Sequence, residues 1–203
     1  MKIASTAAVT SLRPDLALIA QWIKPNSRVL DLGCGDGALL AHLAQVKNCT
    51  GYGVEIDDHQ VLACTQQGVN VIQRNIEDGL AMFGQGQFDV AVLSMSLQVT
   101  KQTEQVLREM SNVAKQGIVS FPNFGHWFHI WSIFKGRMPV SQEMPFEWYN
   151  TPNVHLATVQ DFEDFLLSFG LNITERTFLK NGVPVHFMPG KRATQAIYQF
   201  QKK

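Results

Sequence analysis

Residues 29–37 read Val-Leu-Asp-Leu-Gly-Cys-Gly-Asp-Gly and constrain the fold more than any other part of the chain. Four residues with strand character lead into three alternating glycines, and the apolar residues that follow recur at helical spacing: Leu39, Leu40, Leu43 and Val46. Glycine at positions 33, 35 and 37 permits positive φ and leaves room for a bound group beside the backbone. The pattern predicts a strand, a tight turn and a helix, with the turn facing a ligand.

The acidic residues around the glycines indicate the class of that ligand. The turn formally matches G-x-G-x-x-A, which is typical of dinucleotide sites, where a pyrophosphate lies at the helix N-terminus. Asp36 would place a carboxylate where that pyrophosphate binds, and Asp31 adds a second negative charge at the end of the strand. The charges favour a cofactor that carries positive charge and no phosphate, such as S-adenosylmethionine, over a dinucleotide.

The two segments that follow predict the rest of the cofactor site. Glu55 ends a second strand-like run, 22 residues after Gly33, where an acid typically hydrogen-bonds a ribose diol. The alternative is that Glu55 and the acids after it only cap the next helix, a role better suited to Asp57 or Asp58. A third strand ends in residues 74–78, where Asn75, Ile76 or Glu77 could contact an adenine, although such a run is also common in turns and caps.

Strands and helices alternate along the chain, which predicts an α/β fold with a doubly wound, Rossmann-like, mostly parallel sheet. Further strands are expected near residues 88–93 and 117–121. A capping box at residues 158–161 predicts a late helix, and two last strands, near 171–179 and 196–200, would finish the sheet with an antiparallel edge. We expect one domain over residues 1–203, with a loose tail at residues 1–11.

Composition excludes several functional classes. Lys plus Arg and Asp plus Glu both number 17, so there is no basic surplus for nucleic acid. No stretch reaches the roughly 18 apolar residues of a membrane span. Three cysteines without a C-x-x-C pair are typical of free thiols in a reducing compartment. We therefore expect a soluble cytoplasmic protein, with neither a nucleic-acid nor a membrane partner.

Residues 122–157 contain no clean strand pattern and form an aromatic-rich insertion after the fifth strand. Nine of the 20 aromatic residues of the chain fall within residues 121–149. A short helix over residues 125–134 would carry Trp127, Trp131 and Phe134 at positions i, i+4 and i+7. For each aromatic side chain, packing onto the sheet is the favoured interpretation. The alternatives are a lid over the cofactor, a surface that binds a partner protein or, less favoured, a helix on a membrane surface.

Candidate site residues follow from these placements. The predicted cofactor contacts are Asp31, Gly33, Cys34, Gly35, Asp36, Gly37, Glu55, Ile56, Asn75, Ile76, Glu77 and Ser94. The predicted contacts to an acceptor at the pocket edge are Ser96, Gln98, Asn123 and His126. His126 and His129 lack a third ligand at metal-binding spacing, so no metal is expected. No catalytic residue is assigned, because none of these pocket-edge residues forms a base and orienter pair by sequence. The absence of an obvious nucleophile excludes nothing, since an in-line displacement needs little beyond positioning.

Several motifs carry a resemblance to known families. The glycine-rich turn and the segment Val-Glu-Ile-Asp at residues 54–57 resemble the class I S-adenosylmethionine-dependent methyltransferases. Four further motifs resemble the MetW family of methionine biosynthesis: Leu-Ser-Met-Ser-Leu-Gln (93–98), Ser-Phe-Pro-Asn-Phe-Gly-His-Trp (120–127), Gly-Arg-Met-Pro-Val (136–140) and Trp-Tyr-Asn-Thr-Pro-Asn-Val-His (148–155). The resemblance implies a seven-stranded fold, binding of S-adenosylmethionine, and association with homoserine O-acyltransferase, which the family is thought to activate.

Two hypotheses from different classes follow. The first is a regulatory subunit that binds S-adenosylmethionine or S-adenosylhomocysteine and activates homoserine O-acyltransferase through the insertion. The second is an active methyltransferase on a small molecule, with the insertion as its lid. The resemblance favours the first. A nucleotide-dependent oxidoreductase is a weaker third, because of Asp31 and Asp36.

Overall fold

The structure, a computed structural model, describes residues 12–203; the predicted tail at residues 1–11 lies outside the described residues. The helices are α1 (Pro14–Trp22), α2 (Ala38–Lys47), α3 (Asp58–Gln66), α4 (Thr103–Val113), α5 (Trp127–Phe134), α6 (Val159–Ser168) and α7 (Pro189–Arg192). The strands are β1 (Arg28–Leu32), β2 (Thr50–Glu55), β3 (Val71–Gln73), β4 (Phe88–Ser94), β5 (Ala114–Pro122), β6 (Leu171–Lys180), β7 (Val183–Pro184) and β8 (Gln195–Lys202). Within the described residues no helix is both long and apolar enough to cross a membrane.

One eight-stranded sheet has the order β3-β2-β1-β4-β5-β8-β6-β7. The first five of these strands pair in parallel, and β8 pairs antiparallel with both β5 and β6. The predicted antiparallel C-terminal strand is confirmed, but it lies inside the sheet and not at its edge. Five consecutive buried residues, Ala196 to Phe200, explain this position, because a strand that is buried on both faces needs neighbours on both sides and helices on both faces. The two-residue β7 is the outermost strand on this side.

Apolar side chains cover both faces of the sheet. On one face α4 and α6 contribute Met110, Leu166 and their neighbours to the core, and on the other α1 and α2 contribute Ile19 and Leu43. The buried stripe of α4 consists of Val106, Leu107, Met110 and Val113, and all four are 2% exposed or less. Truncating such a residue to alanine typically costs about 2 to 5 kcal/mol of stability.

Local capping sets the ends of several helices as the sequence predicts. The Asp57 carboxylate accepts from the backbone N–H groups of His59 and Gln60 and so begins α3. Thr158 Oγ1 accepts from the backbone N–H of Asp161, which confirms the capping box of α6. Between β5 and α6 the only helix described is α5, and no strand is described there, as expected for the insertion.

The sheet topology locates a ligand site. Strands β2 and β3 lie on one side of β1, and β4 and β5 lie on the other, so the strand order reverses between β1 and β4. In open parallel sheets a crevice forms at the carboxyl ends of the strands at this reversal. The glycine-rich turn follows β1 directly and therefore lies in that crevice.

Candidate functional site

The glycine-rich turn has the backbone geometry that the sequence predicts. Gly33, Gly35 and Gly37 have φ values of +67°, +56° and +80°, in the left-handed region that favours glycine. The N–H groups of Gly33 and Cys34 both donate to Val54 O on β2, at 2.8 and 3.2 Å. The neighbouring strand thus fixes the turn at the end of β1.

Two cavities meet at Gly33. The larger is about 410 Å³ and is lined by Leu12, Arg13, Leu16, Asp31, Gly33, Cys34, Gly35, Asp36, Ala38, Leu39, Gln60 and Ser94. The smaller is about 290 Å³ and is lined by Gly33, Val54, Glu55, Ile56, Arg74, Asn75, Ile76, Glu77, Ser96, Val99 and Thr100. We call the two together the glycine-turn cleft. Of the predicted cofactor contacts, eleven line this cleft and one does not, because Gly37 lies beneath the turn as the N-cap of α2.

Glu55 lines the smaller cavity and is hydrogen-bonded to Gly35, which lines the larger one. Its Oε2 accepts from the backbone N–H of Gly35 at 2.9 Å, and its Oε1 accepts from the N–H groups of Ile56 and Asp57 at 2.8 and 3.1 Å. The side chain is therefore not a helix cap in the way that Asp57 is. A carboxylate offers about four acceptor sites, so one remains open for a ligand hydroxyl.

A charged cluster closes the larger cavity, and the sequence analysis missed two of its members. Arg13 Nε and Nη2 donate to the two carboxylate oxygens of Asp15 at 2.9 and 2.8 Å, and Nη2 also donates to Ser94 Oγ at 3.0 Å. Arg13 is about half exposed, whereas Asp15 is buried. The sequence signal that could have found them is Arg-Pro-Asp at the start of α1. The proline marks the start of the helix, and a charged residue lies on each side of it.

Burial and neighbouring charges shift the ionisation of these groups. Burial raises the pKa of Asp31 to about 7, although the charge of Arg13 opposes the shift. Burial also raises the pKa of Asp15, but the hydrogen bond and charge of Arg13 outweigh it, so the net pKa of Asp15 is lowered. The hydrogen bond to Asp15 raises the pKa of Arg13. At neutral pH the cluster therefore contains one fixed ion pair and one carboxyl that is near its titration point.

Two thiols lie directly under the turn. Cys34 Sγ and Cys64 Sγ are 3.7 Å apart, and Cys64 Sγ donates to Gly35 O at 3.1 Å. Burial raises the pKa of both thiols, which keeps them protonated and weakly reactive. All three cysteines are free, as predicted. A Cβ at Gly53 would overlap the Cys34 sulfur, so this glycine of β2 provides the space for that side chain.

The sequence left two roles open for the segment after β3, a cap of a turn and a wall of the cofactor site, and the segment combines both. Asn75 Oδ1 accepts from the N–H of Glu77 at 3.0 Å and caps a short 3₁₀ turn, Ile76–Asp78. Glu77 Oε1 accepts from the N–H of Gln102 at 2.7 Å, just before α4. Asn75, Ile76 and Glu77 nevertheless all line the smaller cavity.

The four predicted pocket-edge residues separate in the structure. Ser96 lines the smaller cavity, and Gln98 lines a third cavity beyond it. Asn123 is fully buried and donates to Gly190 O and Ala193 O at 3.0 and 2.8 Å. His126 Nδ1 accepts from the N–H of Phe128 and begins α5. Asn123 and His126 thus hold loops together and do not line the glycine-turn cleft.

The aromatic side chains of α5 are mostly in solvent. Trp127, Trp131 and Phe134 are 53%, 49% and 80% exposed, and His129 is the one buried residue of this helix. The prediction that each of these three aromatics packs onto the sheet was wrong. The helix is apolar on nearly every side, so burying one face leaves the others uncovered. Among residues 12–203, no group of three or more His, Cys, Asp or Glu side chains is placed to hold a metal ion.

Comparison with protein families identifies the chain. The family model described as "Methionine biosynthesis protein MetW" matches residues 13–200. The chain belongs to the MetW family. A relative named "Bifunctional methionine biosynthesis protein MetXA/MetW", from Rhodopirellula baltica, is 34% identical over 83% of the chain. This MetW-family chain spans only 29% of the length of that relative.

Solved structures show that the MetW-family chain has the class I methyltransferase fold. An S-adenosylmethionine-dependent methyltransferase from Mesorhizobium loti superposes with a TM-score of 0.68 at 15% identity, over 92% of this chain and 96% of the other. A second, from Archaeoglobus fulgidus, gives a TM-score of 0.67 at 14% identity, over 93% and 91% of the two chains. The class I fold predicted from the glycine-rich turn is therefore confirmed, with eight strands where the resemblance implied seven.

Proposed function

We propose that this chain binds S-adenosylmethionine, or its product S-adenosylhomocysteine, in the glycine-turn cleft, and that it acts as a regulatory subunit that binds and activates homoserine O-acyltransferase. The observation that carries the partnership is the bifunctional relative, whose name joins MetXA to MetW in one protein. Covalent linkage keeps two modules at a high effective concentration of each other, which favours their association.

The charges of the cleft support a cationic cofactor. Asp31, Asp36 and Glu55 lie around one turn, and the sulfonium and ammonium groups of S-adenosylmethionine are positive. At 4 Å an attraction between two unit charges is about 1 to 4 kcal/mol in water or at a protein surface. Glu55 keeps one acceptor site for a ribose hydroxyl. Arg13 makes no hydrogen bond through Nη1 to residues 12–203, so Nη1 can donate to the carboxylate of the methionine part of S-adenosylmethionine.

The same turn opposes a dinucleotide. Asp36 Oδ1 accepts from the backbone N–H of Ala38, the first residue of α2, at 3.1 Å. A carboxylate therefore occupies the position at the helix N-terminus where a pyrophosphate would bind, and the two anions would repel each other. If Asp36→Ala left the affinity for S-adenosylmethionine unchanged while NAD bound well, this electrostatic argument would be wrong.

The insertion at residues 122–157 supports a partner surface. Its helix α5 places Trp127, Ile130, Trp131 and Phe134 in solvent, each at least 46% exposed, and Trp131 stacks on Phe134 with ring centroids 5.5 Å apart. Clustered aromatic side chains are enriched at the centres of protein interfaces, where burying them gives most of the binding energy. We call these four residues the α5 surface and propose that it contacts the acyltransferase.

The deciding experiment measures the rate of purified homoserine O-acyltransferase with and without this protein, each with and without S-adenosylmethionine. We expect a rate that rises with added protein and saturates at a fixed ratio of the two. Any dependence on the cofactor gives the sign of its effect. The double variant Trp127→Ser/Trp131→Ser is expected to lose the activation while its affinity for S-adenosylhomocysteine, measured by calorimetry, stays unchanged.

Two controls separate the alternatives. Substitution of Leu167, an exposed apolar residue on α6, by serine should leave activation intact. If the Trp127 and Trp131 substitutions weaken cofactor binding and activation equally, the insertion is a lid or a core element. If the acyltransferase rate never responds, the regulatory proposal fails, and an active methyltransferase with an unidentified small acceptor takes its place.

A further inference from the structure

Two buried histidines, His126 and His129, lie where α5 joins the body of the protein and have no role in the function proposed above. They are 6% and 1% exposed. His126 belongs to the motif Ser-Phe-Pro-Asn-Phe-Gly-His-Trp at residues 120–127, and His129 follows three residues later on α5. Their rings meet edge to face with centroids 5.6 Å apart, so a charge on one ring acts directly on the other.

Helix α5 is attached to the protein almost entirely through His129. This residue is the one buried side chain among the eight of the helix, Ser132 is partly buried, and the other six are exposed. The His129 ring stacks on Phe124, with centroids 5.5 Å apart. Because α5 buries little apolar surface, the free energy that holds the helix in place is small and depends on the state of this ring.

His126 holds the start of the same helix in a way that requires a neutral ring. Its Nδ1 accepts from the backbone N–H of Phe128 at 3.3 Å and caps α5. An imidazole nitrogen accepts only when it carries no proton, so the neutral ring has its proton on Nε2. Protonation of Nδ1 removes the acceptor and puts a positive charge at the positive end of the helix dipole. Both changes weaken the start of α5.

Three of the four ring nitrogens of this pair have no polar partner. His126 Nε2 and both ring nitrogens of His129 are buried and make no hydrogen bond with residues 12–203. A charged imidazolium donates from both of its nitrogens, and burying a charge without partners is costly. Burial accordingly lowers the pKa of both histidines.

The groups that oppose this shift are weaker than burial. The backbone of residues 123–124 and the charge of Glu143 favour the protonated form of His129. Glu143 also favours the protonated form of His126, whereas the neighbouring His129 and Lys180, at the end of β6, disfavour it. The net pKa of each histidine is lowered, so protonating the pair costs free energy while α5 is docked.

We infer that α5 is a pH-sensitive element, docked while His126 and His129 are neutral and detached when they are protonated. Because the docked rings have a lowered pKa, the detached form takes up protons first, as the pH falls below the ordinary histidine pKa of 6.5. Docking therefore keeps its full stability above about pH 6.5 and weakens below it, by up to about tenfold per pH unit for each histidine.

Detachment has a consequence for the partner. The α5 surface is carried by this helix, so its geometry is lost when the helix detaches, and acid should weaken activation of the acyltransferase. That consequence rests on the proposed function, whereas the detachment is a property of this chain alone.

Hydrogen exchange of the protein alone, without cofactor or acyltransferase, tests the inference. Mass spectrometry measures the protection of the amides of α5 and α4 at pH 7.5 and pH 5.5, corrected for the intrinsic pH dependence of exchange. We expect the protection of α5 to fall about tenfold or more and that of α4 to stay within twofold. In parallel, nuclear magnetic resonance of the ring protons should give titration midpoints below pH 6.5 for His126 and His129.

Matched variants assign the effect to the two rings. His126→Asn/His129→Phe keeps a side-chain cap and an aromatic ring but takes up no proton at either position, so the protection of its α5 should not change with pH. His59→Asn removes an exposed histidine of α3 and should behave as the original chain does. His126→Asn alone should fold and lose about half of the pH dependence on a logarithmic scale.

Four results overturn the inference: protection of α5 that does not change with pH in the original chain, an equally steep fall in the double variant, a parallel loss of protection in α4, or a titration midpoint of either ring at or above pH 6.5. An acyltransferase that never responds to this protein contradicts the proposed function and leaves these measurements unaffected.

Discussion

The backbone N–H of Gly35 donates to Glu55 Oε2 at 2.9 Å, so the carboxylate that the sequence assigns to a ribose also fastens the glycine-rich turn. Two further N–H groups, from Ile56 and Asp57, hold the other oxygen. A ribose diol that uses Glu55 therefore takes its one open acceptor site and competes with a backbone donor for a second.

Glu55→Gln is expected to weaken S-adenosylhomocysteine binding about tenfold to a hundredfold, because a hydrogen bond to a charged group contributes roughly 1.5 to 3 kcal/mol. Calorimetric titration measures the change. Glu104→Gln, an exposed acid of α4 outside the cleft, is the control and should bind normally. Unchanged affinity in Glu55→Gln would remove Glu55 from the site.

Binding of S-adenosylmethionine should depend on pH through Asp31. Its pKa of about 7, raised by burial, means that the side chain is mostly neutral at pH 6 and mostly ionised at pH 8. Because the ionised form attracts a cation, the affinity should rise by up to about tenfold per pH unit below 7 and level off above it. Asp31→Asn should flatten this profile. An equally steep profile in that variant would assign the pH dependence to another group.

The free energy of unfolding should also depend on pH through Asp31, but it should fall as the pH rises, whereas the affinity for the cofactor should increase. The folded-state pKa of Asp31 lies above the unfolded value of about 3.9, so the folded chain holds the proton to a higher pH. Its contribution to stability is fully present below about pH 4 and is lost as the pH rises to about 7. The melting temperature of Asp31→Asn should therefore exceed that of the original chain at pH 8 more than at pH 5. Scanning calorimetry at both values checks this difference.

Arg13→Ala should destabilise the fold by about 1 to 3 kcal/mol at pH 8, because it leaves the buried carboxylate of Asp15 with fewer partners. Since the pKa of Asp15 is lowered in the folded chain, its favourable contribution is lost as the pH falls through that value. Urea unfolding at pH 8 and at pH 3, which is below the unfolded-state pKa of about 3.9, should accordingly show a smaller difference between the two chains at pH 3. A constant difference would mean that Arg13 stabilises α1 by packing alone.

The α5 surface should tolerate polar substitution. Trp131→Ser/Phe134→Ser is expected to change the free energy of unfolding by less than about 1 kcal/mol, because both rings are largely in solvent. Phe121→Ala, in the core, should cost about 3 to 5 kcal/mol. Denaturant unfolding of the three proteins gives the comparison. A large loss in the double variant would show that these rings pack within the protein.

The aromatic insertion shows where sequence reasoning was limited. The spacing of Trp127, Trp131 and Phe134 correctly predicts a helix, since helical period is a local property of the chain. The spacing contains no information about what covers the helix. In this chain the side chains expected in the core lie in solvent, and His129 is buried in their place.

The sequence by itself determined the features that depend on neighbouring residues: the glycine turn with its positive φ angles, the strand and helix order, the Asp57 and Thr158 caps, and the family. The tertiary structure decided which distant groups meet. Arg13 and Ser94 are 81 residues apart and share a hydrogen bond, and β8 lies between β5 and β6. Steric limits on φ and local hydrogen bonds act within a few residues, whereas long-range pairings depend on how all the apolar faces are buried together.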